Sequence, residues 1–443
     1  MAMNRRHITA TLTRPPTVYA AESESTRHAT WLELFFDLVF VVALAALGHQ
    51  LHHHLDLTGA VEFAALFALV WWIWLTFSYY ADTYDTESTL SRVAMVAVMF
   101  VVIFLAETIP DALAGGSFAF GVGVFVLRAI LGGLHLRARR METDARPFVA
   151  YWIALEVLVT LVWGLSLLVP EPGRFGLWLA ALLLSSAGIA AVYLSFDRIE
   201  AQVSHFNERL GLFTILVLGE TVLAVAAETS ITEWGVRAVL VGVAGFAVVV
   251  AVWWLYFAPF DDGVVDRMLR TSGDGWLEAR QRGIVHVFAH YPVHAGIVAA
   301  GVGIGVATET ALAGHALGTD GRLALTGGVA VFLVGSSVAH RVAPGCLSPG
   351  TFRARLVGAA VIGVLGLVAA EVSALALLGL TAAVLVGLIG YESLDATPET
   401  TDAGTDPRPR EAADAATGGR VEHEWAPSAD GRSWRQDHAD LAD

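Results

Sequence analysis

The sequence predicts an all-α fold: a polytopic membrane helix bundle of about twelve transmembrane helices, arranged as two parallel six-helix repeats. Three observations predict it. Of the 443 residues, 56% are hydrophobic and only 16% are charged. Apolar runs long enough to cross a bilayer recur from residue 31 to about residue 391, more than a soluble domain can bury. Short motifs also recur, in order, in the two halves of the chain.

The chain divides into four segments by composition. Residues 1–30 form a polar N-terminal tail with several arginines. We expect the following span to be retained, because two acids interrupt the apolar region that a cleaved signal peptide would need. Residues 31–200 form the first six-helix half and residues 201–393 the second. Residues 394–443 are rich in Asp, Glu, Pro and Thr and are expected to be a disordered, acidic cytoplasmic tail.

Twelve spans are expected between the two tails. They lie near residues 31–50, 58–80, 90–109, 117–137, 148–169, 175–196, 207–227, 234–257, 284–307, 322–340, 354–372 and 374–392. Arginines cluster in alternate loops, as in Arg137, Arg139, Arg140 and Arg146. The positive-inside rule therefore predicts a multi-pass protein of the cell membrane with both termini in the cytoplasm, which requires an even number of spans.

The repeat is predicted from matches at a similar offset. Leu34-Phe35-x-x-Leu38-Val39 in the first span matches Leu212-Phe213-x-x-Leu216-Val217 in the seventh. Trp74-Leu75-x-Phe77 in the second span matches Trp254-Leu255-x-Phe257 in the eighth. Because each half has six spans, the halves would be parallel, related by an axis along the membrane normal. A site or path is then expected between them.

Composition also excludes several classes of function. The net charge of −15 argues against nucleic-acid binding. The only cysteine, Cys346, excludes an intrachain disulfide and a cysteine-based metal site. No serine lies in a motif that pairs a nucleophile with a base, so the chain is not expected to be an enzyme, and no cofactor or metal is expected. The expected partners are the lipid bilayer and an unknown small ion or solute, with homo-oligomers an open alternative.

Two acids open the first span, Glu33 and Asp37, on one helix face. A charge left at the middle of the bilayer costs about 2.5–3.5 kcal/mol on insertion scales, so each needs a reason. Glu33 is close enough to the interface to serve either as a helix cap or as a polar lining residue. Asp37 lies one turn deeper and is the stronger candidate.

The deepest predicted ionisable groups are Arg128, Glu156 and Glu220. Arg128 lies near the middle of its span, so it is expected to have an acidic partner. Such a pair either fixes helix packing or belongs to a transport site, and burial alone does not choose between them. At the outer end of the first span, His49 and residues 52–54 are read as an exposed polar loop, with a metal site as the lesser alternative.

The seventh span opens with His205-Phe-Asn207-Glu208-Arg209. Asn207 is suited to cap this helix. Arg209 could pair with Asp37, Asp197 or Asp82, all predicted to be on the same side of the membrane. The three aromatic residues of Trp71-Trp72-x-Trp74, in the second span, are expected to form an interfacial girdle.

The ninth span carries His286, His290 and His294 at a spacing of four residues, which places them on one face. Imidazoles titrate near neutral pH, so this row could relay protons, or as a lesser alternative hold a metal. Pro292 lies among them and frees the carbonyl of Phe288.

These motifs resemble the low temperature requirement protein A family. The resemblance rests on Glu33-Leu-Phe-Phe-Asp37-Leu-Val-Phe40, on His205-x-x-Glu208-Arg209-x-Gly211 with Leu218-Gly219-Glu220, and on His290-x-Pro292-x-x-x-Gly296. It implies a bacterial-type multipass membrane protein associated with growth in the cold. His286 and His294 depart from the family pattern. Phe35-Phe36-Asp37 is also similar, as a fold-level analogy, to the first-span signature of a six-span potassium-channel family.

The sequence therefore predicts a transporter or channel with a polar path between the two halves. The alternative is a structural or regulatory membrane protein of cold or membrane adaptation, whose polar residues only hold helices together. The candidate path residues are Glu33, Asp37, Arg128, Glu156, His205, Glu208, Arg209, Glu220, His286, His290 and His294.

Overall fold

The computed structural model describes residues 30–84, 88–139, 146–195, 203–228, 235–259, 276–343 and 346–395. The two predicted tails lie almost wholly outside these residues. The described chain is all α-helical, as predicted. Its helices are α1 Trp31–His53, α2 Leu57–Thr83, α3 Thr89–Thr108, α4 Ser117–Ala138, α5 Arg146–Ser166, α6 Gly173–Ser195, α7 Val203–Glu228, α8 Val236–Phe257, α9 Trp276–Ala313, α10 Thr319–Val342, α11 Pro349–Val368 and α12 Ala374–Asp395.

Each of the twelve predicted spans corresponds to one of these helices, so the multipass membrane architecture is confirmed. Eleven helices of the described chain are long and apolar enough to cross a membrane. Helix α7 is not among these eleven, and it carries Glu208, Arg209 and Glu220. It nevertheless packs inside the bundle, in contact with α1, α2, α8 and α9.

Helix starts follow from local capping chemistry. Thr30 and Glu33 form a capping box at α1: the Thr30 hydroxyl accepts from the Glu33 N–H, and the Thr30 N–H donates to Glu33 Oε2 at 2.8 Å. Asp56 accepts from the N–H of Gly59 at the start of α2. The prediction that Asn207 caps α7 was wrong, since the helix begins at Val203 and Asn207 lies one turn inside it.

Helix α9 is the central element of the bundle. Its 38 residues span about 57 Å, well beyond the roughly 30 Å of a bilayer's hydrocarbon core. It contacts α1, α2 and α6 as well as α7, α8, α10 and α12, so it joins helices from both predicted halves. Pro292 lies within it without ending it.

Helices α9 and α10 approach each other backbone to backbone. A Cβ atom added at Gly303 would lie 2.2 Å from the Leu325 backbone N, and one at Gly328 would lie 2.3 Å from the Ala300 backbone N. Small residues at such crossings allow close van der Waals contact, which stabilises helix association within lipid. This contact fixes the position of the histidine-bearing face of α9.

The outer surface carries long apolar stripes. Val96 and Phe100 of α3 and Val243 and Phe246 of α8 are each more than half exposed. Contiguous patches of this kind are costly in water and favourable in lipid. Neighbouring helices also pair alike in the two sets of six: α1 touches α2 and α3 as α7 touches α8 and α9. The parallel repeat itself stays a prediction.

Candidate functional site

Buried polar side chains concentrate at one end of the bundle. Hydrogen bonds join residues near the start of α1, α7 and α11 to residues near the end of α2, α8, α10 and α12. These helices therefore begin or end, respectively, on the same side. We refer to this side as the polar end; with the predicted topology it faces the cytoplasm.

Asp37 is the centre of the first cluster at the polar end. Its Oδ1 accepts from Arg209 Nη2 at 2.7 Å and from the Trp74 indole N–H at 2.8 Å. Arg209 also donates to the backbone carbonyl of Ser78 at 3.3 Å. Both ions are buried, Asp37 and Arg209 each at 0% exposure. Of the three acids considered from sequence, the structure pairs Arg209 with Asp37.

Aromatic rings enclose this ion pair. The Arg209 guanidinium lies 5.9 Å from the centre of the Phe36 ring. Trp74 stacks on Phe213 with ring centres 4.0 Å apart and an interplanar angle of 16°. Because the surrounding groups polarise little, the attraction between the two charges is screened far less than at a surface. The pair thus links α1 of the first half firmly to α7 of the second.

The expectation of an interfacial girdle in α2 was wrong. Trp71, Trp72 and Trp74 are buried in the bundle, each at 3% exposure or less. Their indole N–H groups donate to His294 Nδ1, Ser185 Oγ and Asp37 Oδ1. An indole with a buried acceptor has no need of an interface. Sequence reasoning missed these donors because their acceptors lie on other helices.

His294 has a defined protonation state in this arrangement. An indole can only donate, so the bond of 2.9 Å from Trp71 makes His294 Nδ1 an acceptor. Nε2 then carries the proton and donates to Thr214 Oγ1, also at 2.9 Å. The Thr214 hydroxyl in turn donates a hydrogen bond to the backbone carbonyl of Leu210. His294 is therefore neutral, with both ring nitrogens engaged.

His290 is engaged in the same way with the opposite tautomer. Its Nδ1 lies 2.8 Å from the carbonyl oxygen of His286, so Nδ1 carries the proton. Nε2 then accepts from the Tyr256 hydroxyl at 2.9 Å. His286 in turn donates from Nδ1 to the carbonyl of Ala339 on α10. The row of three histidines thus ties α9 to α2, α7, α8 and α10.

A second ion pair at the polar end, with a buried arginine and a partly exposed glutamate, was missed from the sequence. Arg355 of α11 binds Glu392 of α12 through two bonds of 2.5 and 2.8 Å. It also donates to His340 Nδ1 at 3.0 Å and to the carbonyl of Leu255 at 2.8 Å. The available signal was the presence of opposite charges at the ends of two adjacent predicted spans that meet on one side.

Arg128 and Glu156 form a third ionic contact, within the first half. Arg128 Nη1 of α4 lies 3.6 Å from Glu156 Oε1 of α5, beyond hydrogen-bonding distance, and 3.3 Å from Thr76 Oγ1 of α2. Both ionic side chains are buried. The expected acidic partner of Arg128 is therefore Glu156, but the contact is loose.

Glu220 belongs to a different place, a cavity near the opposite end of the bundle that we call the outer cavity. It has a volume of about 630 Å³ and is lined by α1, α3, α7 and α9. Polar lining comes from Glu220, His49 and Glu107, and the wall from small residues such as Gly301 and Gly305. Among the described residues no group of three or more His, Cys, Asp or Glu side chains is arranged to hold a metal ion.

The remaining candidates are less central. Glu33 caps α1, as one of its two interpretations proposed. Glu208 is half-buried on α7. The His205 side chain lies outside the described residues. The structure thus brings Asp37, Arg209, His290 and His294 together, since the Trp74 ring lies 6.3 Å from the His294 ring.

Arg128, Glu156 and Glu220 are predicted path residues that do not join that group. Arg128 is bound within the first half and reaches it only through α2. Glu220 lies three turns beyond Arg209 on α7, about 16 Å along the helix axis.

Comparison with known proteins gives the family. Residues 28–390 match the model of the bacterial low temperature requirement A protein (LtrA) family. An uncharacterized protein of Rhizobium meliloti (strain 1021) is 28% identical over 342 residues, which cover 72% of this chain and 79% of the relative. No solved structure matches. Since the family model covers most of the chain, the protein belongs to this family.

Proposed function

We propose that this low temperature requirement A protein is a transporter of the cell membrane that moves a small ion or solute between its two six-helix halves. The main support is the outer cavity, because it lies where a path is expected. Its walls come from α1 and α3 of the first half and from α7 and α9 of the second. These are the corresponding helices of the predicted repeat.

The path is closed at the polar end in this conformation. The Asp37–Arg209 pair joins α1 to α7 there, and the Trp71–His294–Thr214 chain joins α2, α7 and α9. Phe40 lies between Asp37 and the cavity residues along α1, and Val217 lies between Arg209 and Glu220 along α7; both side chains are fully buried. A cavity near one end of the bundle, with bonded and buried side chains at the other, is the arrangement that one state of an alternating-access transporter requires.

The seal is suited to opening because it is ionic. Desolvation of two buried charges offsets most of their attraction, so such a pair can separate without a large net cost if each ion then meets water. Rotation of one half against the other would separate Asp37 from Arg209. The arginine distribution favours both termini in the cytoplasm. With that orientation, the polar end would be the inner gate of the proposed transporter.

Cysteine labelling tests the two sides of this proposal. In a Cys346→Ser background, a membrane-impermeant maleimide added outside cells should label Val302→Cys, which lines the outer cavity. It should leave Ser78→Cys, fully buried at the polar end, unlabelled. Adding Asp37→Asn should expose Ser78→Cys to reagent from the cytoplasmic side. If neither Val302→Cys nor Ser78→Cys is labelled in any background, the proposal of a path that can open is contradicted.

Flux measurements test transport directly. Proteoliposomes would be given proton, sodium and potassium gradients and read with dyes for internal pH and for the two cations. We expect flux that falls in Asp37→Asn and Glu220→Gln and is retained in the control Glu371→Gln, an exposed acid between α11 and α12. Absence of flux under every gradient would contradict transport of these ions.

A structural or regulatory role in cold or membrane adaptation is the second candidate. The observation that favours it is the complete hydrogen bonding of His290 and His294, which fixes helices rather than leaving imidazoles to titrate. This role predicts that Asp37→Asn lowers stability and expression while flux is absent from the natural protein as well.

A further inference from the structure

A row of unpaired buried polar atoms lies on one face of α5. Trp152, Glu156 and Thr160 follow each other at four-residue intervals, which places them on one stripe of the helix. Trp152 Nε1, both carboxyl oxygens of Glu156 and Thr160 Oγ1 have no hydrogen-bond partner, nor has Nε of the facing Arg128. Trp152, Glu156 and Arg128 are each at 3% exposure or less. Five such atoms along one stripe each need a partner.

The helix that faces this stripe has a glycine, and therefore no side chain, at this level. Opposite Glu156 and Thr160, α4 has Gly132, where an added Cβ would still lie 4.0 Å from both Glu156 Cβ and Thr160 Oγ1. The unpartnered atoms of this region include donors, on Arg128 and Trp152, acceptors, on the Glu156 carboxyl, and the Thr160 hydroxyl, which can be either. Water bound inside proteins occupies sites with two to four polar partners of this sort.

A line of aromatic side chains leads from the stripe to the polar end. His135 stacks on Trp152, with ring centres 5.4 Å apart. The ring centres of Tyr80 and His135 are 5.0 Å apart, and those of Tyr84 and Tyr80 are 4.8 Å apart. Tyr84 is the C-cap residue of α2. The Tyr80 and Tyr84 hydroxyls are buried and also lack a hydrogen-bond partner. Water along these hydroxyls would connect Glu156 to the membrane surface.

The ligand that fits is a proton carried by water, and not a metal ion or an anion. A metal cation would be repelled by Arg128, 3.6 Å from the carboxylate, and would find few oxygen ligands. An anion would be repelled by Glu156. A proton neutralises the carboxylate in place, and Arg128 then retains its bond to Thr76.

We propose that the α5 stripe of Trp152, Glu156 and Thr160, together with Arg128, is a hydrated site in the first half at which Glu156 takes up and releases a proton. In the step, a hydrated proton forms an O–H bond with a Glu156 carboxyl oxygen, and only the bond to its carrier water breaks. Arg128 of α4 is the charged group in contact with Glu156, while His135 of α4 and Tyr79 of α2 are the titratable groups in contact with the neighbouring Trp152. On α6, Arg174 is bound to the Ser166 carbonyl at the far end of α5.

Infrared difference spectroscopy on the purified full-length protein in nanodiscs tests the site without any transport assay. We expect a protonated-carboxyl C=O band that titrates with pH, shifts in D₂O and is absent from Glu156→Gln. Thr160→Val, nearly isosteric, should fold and displace the band, because it removes a neighbouring hydroxyl. Glu371→Gln is the matched control and should leave the band in place.

Each outcome decides the proposal. A band that titrates, exchanges and responds to Thr160→Val supports it, even if proteoliposomes show no flux. Absence of a Glu156 band at every pH would mean a permanently ionised structural pair. A band that neither titrates nor exchanges in D₂O would mean a dry, fixed carboxyl. Either of the last two results would overturn the proposal while leaving the path between the halves untouched.

Discussion

The Asp37–Arg209 pair and the Arg128–Glu156 pair are both buried contacts between a carboxylate and a guanidinium, and they differ in the hydrogen bonds that the carboxylate accepts. The first has a contact of 2.7 Å, a third partner in the Trp74 indole and a carbonyl on the arginine. In the second, the charged groups are 3.6 Å apart and neither carboxyl oxygen of Glu156 has a hydrogen-bond partner. In the first, Asp37 Oδ2 and Arg209 Nε also lack partners, but Asp37 Oδ1 accepts two hydrogen bonds. Burial is nearly the same for both. The difference teaches that local hydrogen bonding, rather than depth, separates a structural lock from a site prepared for water.

Of the substitutions considered, Asp37→Asn should cause the largest loss of unfolding free energy. It leaves the fully buried Arg209 without a counter-charge, and breaking a buried pair in this way costs about 3–5 kcal/mol of unfolding free energy. Unfolding in mixed detergent micelles, followed by tryptophan fluorescence, measures the loss. The exposed acid change Glu371→Gln serves as control. A loss below about 1 kcal/mol would show that the pair does not lock α1 to α7.

Glu392→Gln should have the next largest effect. It converts the charged, two-bond contact of Arg355 into a neutral one, while His340 and the Leu255 carbonyl still hold the guanidinium. Hydrogen bonds to charged groups contribute about 1.5–3 kcal/mol, and Glu392 is partly exposed, so we expect a loss near the lower value. The same unfolding assay checks it. If Glu392→Gln lowers the unfolding free energy as much as Asp37→Asn does, the Asp37–Arg209 pair is no more important for stability than the Arg355–Glu392 pair.

Trp74→Phe should cost less again. The phenyl ring can keep the stacking on Phe213, while Asp37 loses one donor and retains Arg209. We expect a loss of about 1–2 kcal/mol. Trp71→Phe is the matched change, because it removes the donor of a neutral acceptor, His294. If Trp71→Phe proves the more costly of the two, the charge on Asp37 is not what the indole stabilises.

Glu156→Gln should have the smallest effect on stability. The change is the same carboxyl-to-amide substitution as at Asp37, but water in the α5 stripe would continue to solvate Arg128. We expect a loss below about 1 kcal/mol, close to that of an ordinary surface substitution. Thermal unfolding of both variants in parallel makes the comparison. A loss at Glu156 as large as that at Asp37 would indicate a dry site.

Hydropathy alone predicted the membrane class and all twelve helix positions, because each span must be apolar over a fixed length. The polar residues inside it were also visible, since each is costly in lipid. The sequence did not show which of these polar residues would pair with each other. Arg209 had three candidate acids, and the choice of Asp37 depends on how α1 and α7 rotate against each other.

Other parts of the site could not be read from the sequence at all. The indoles of Trp71 and Trp74 were interpreted as interfacial, because nothing local shows a buried acceptor on another helix. Glu220 was placed on one path with Asp37, although three turns of α7 separate it from Arg209. The loose geometry at Glu156 arises from tertiary packing and has no sequence signature.

Paired double-mutant cycles test the central claim most directly. One cycle combines Asp37→Asn with Arg209→Gln, and the other combines Glu156→Gln with Arg128→Gln, all measured as unfolding free energies in the same micelles. The account predicts a coupling energy at Asp37–Arg209 that exceeds the one at Arg128–Glu156 by about 1.5 kcal/mol or more. Equal coupling energies, or a larger one at Arg128–Glu156, would contradict the distinction between lock and hydrated site.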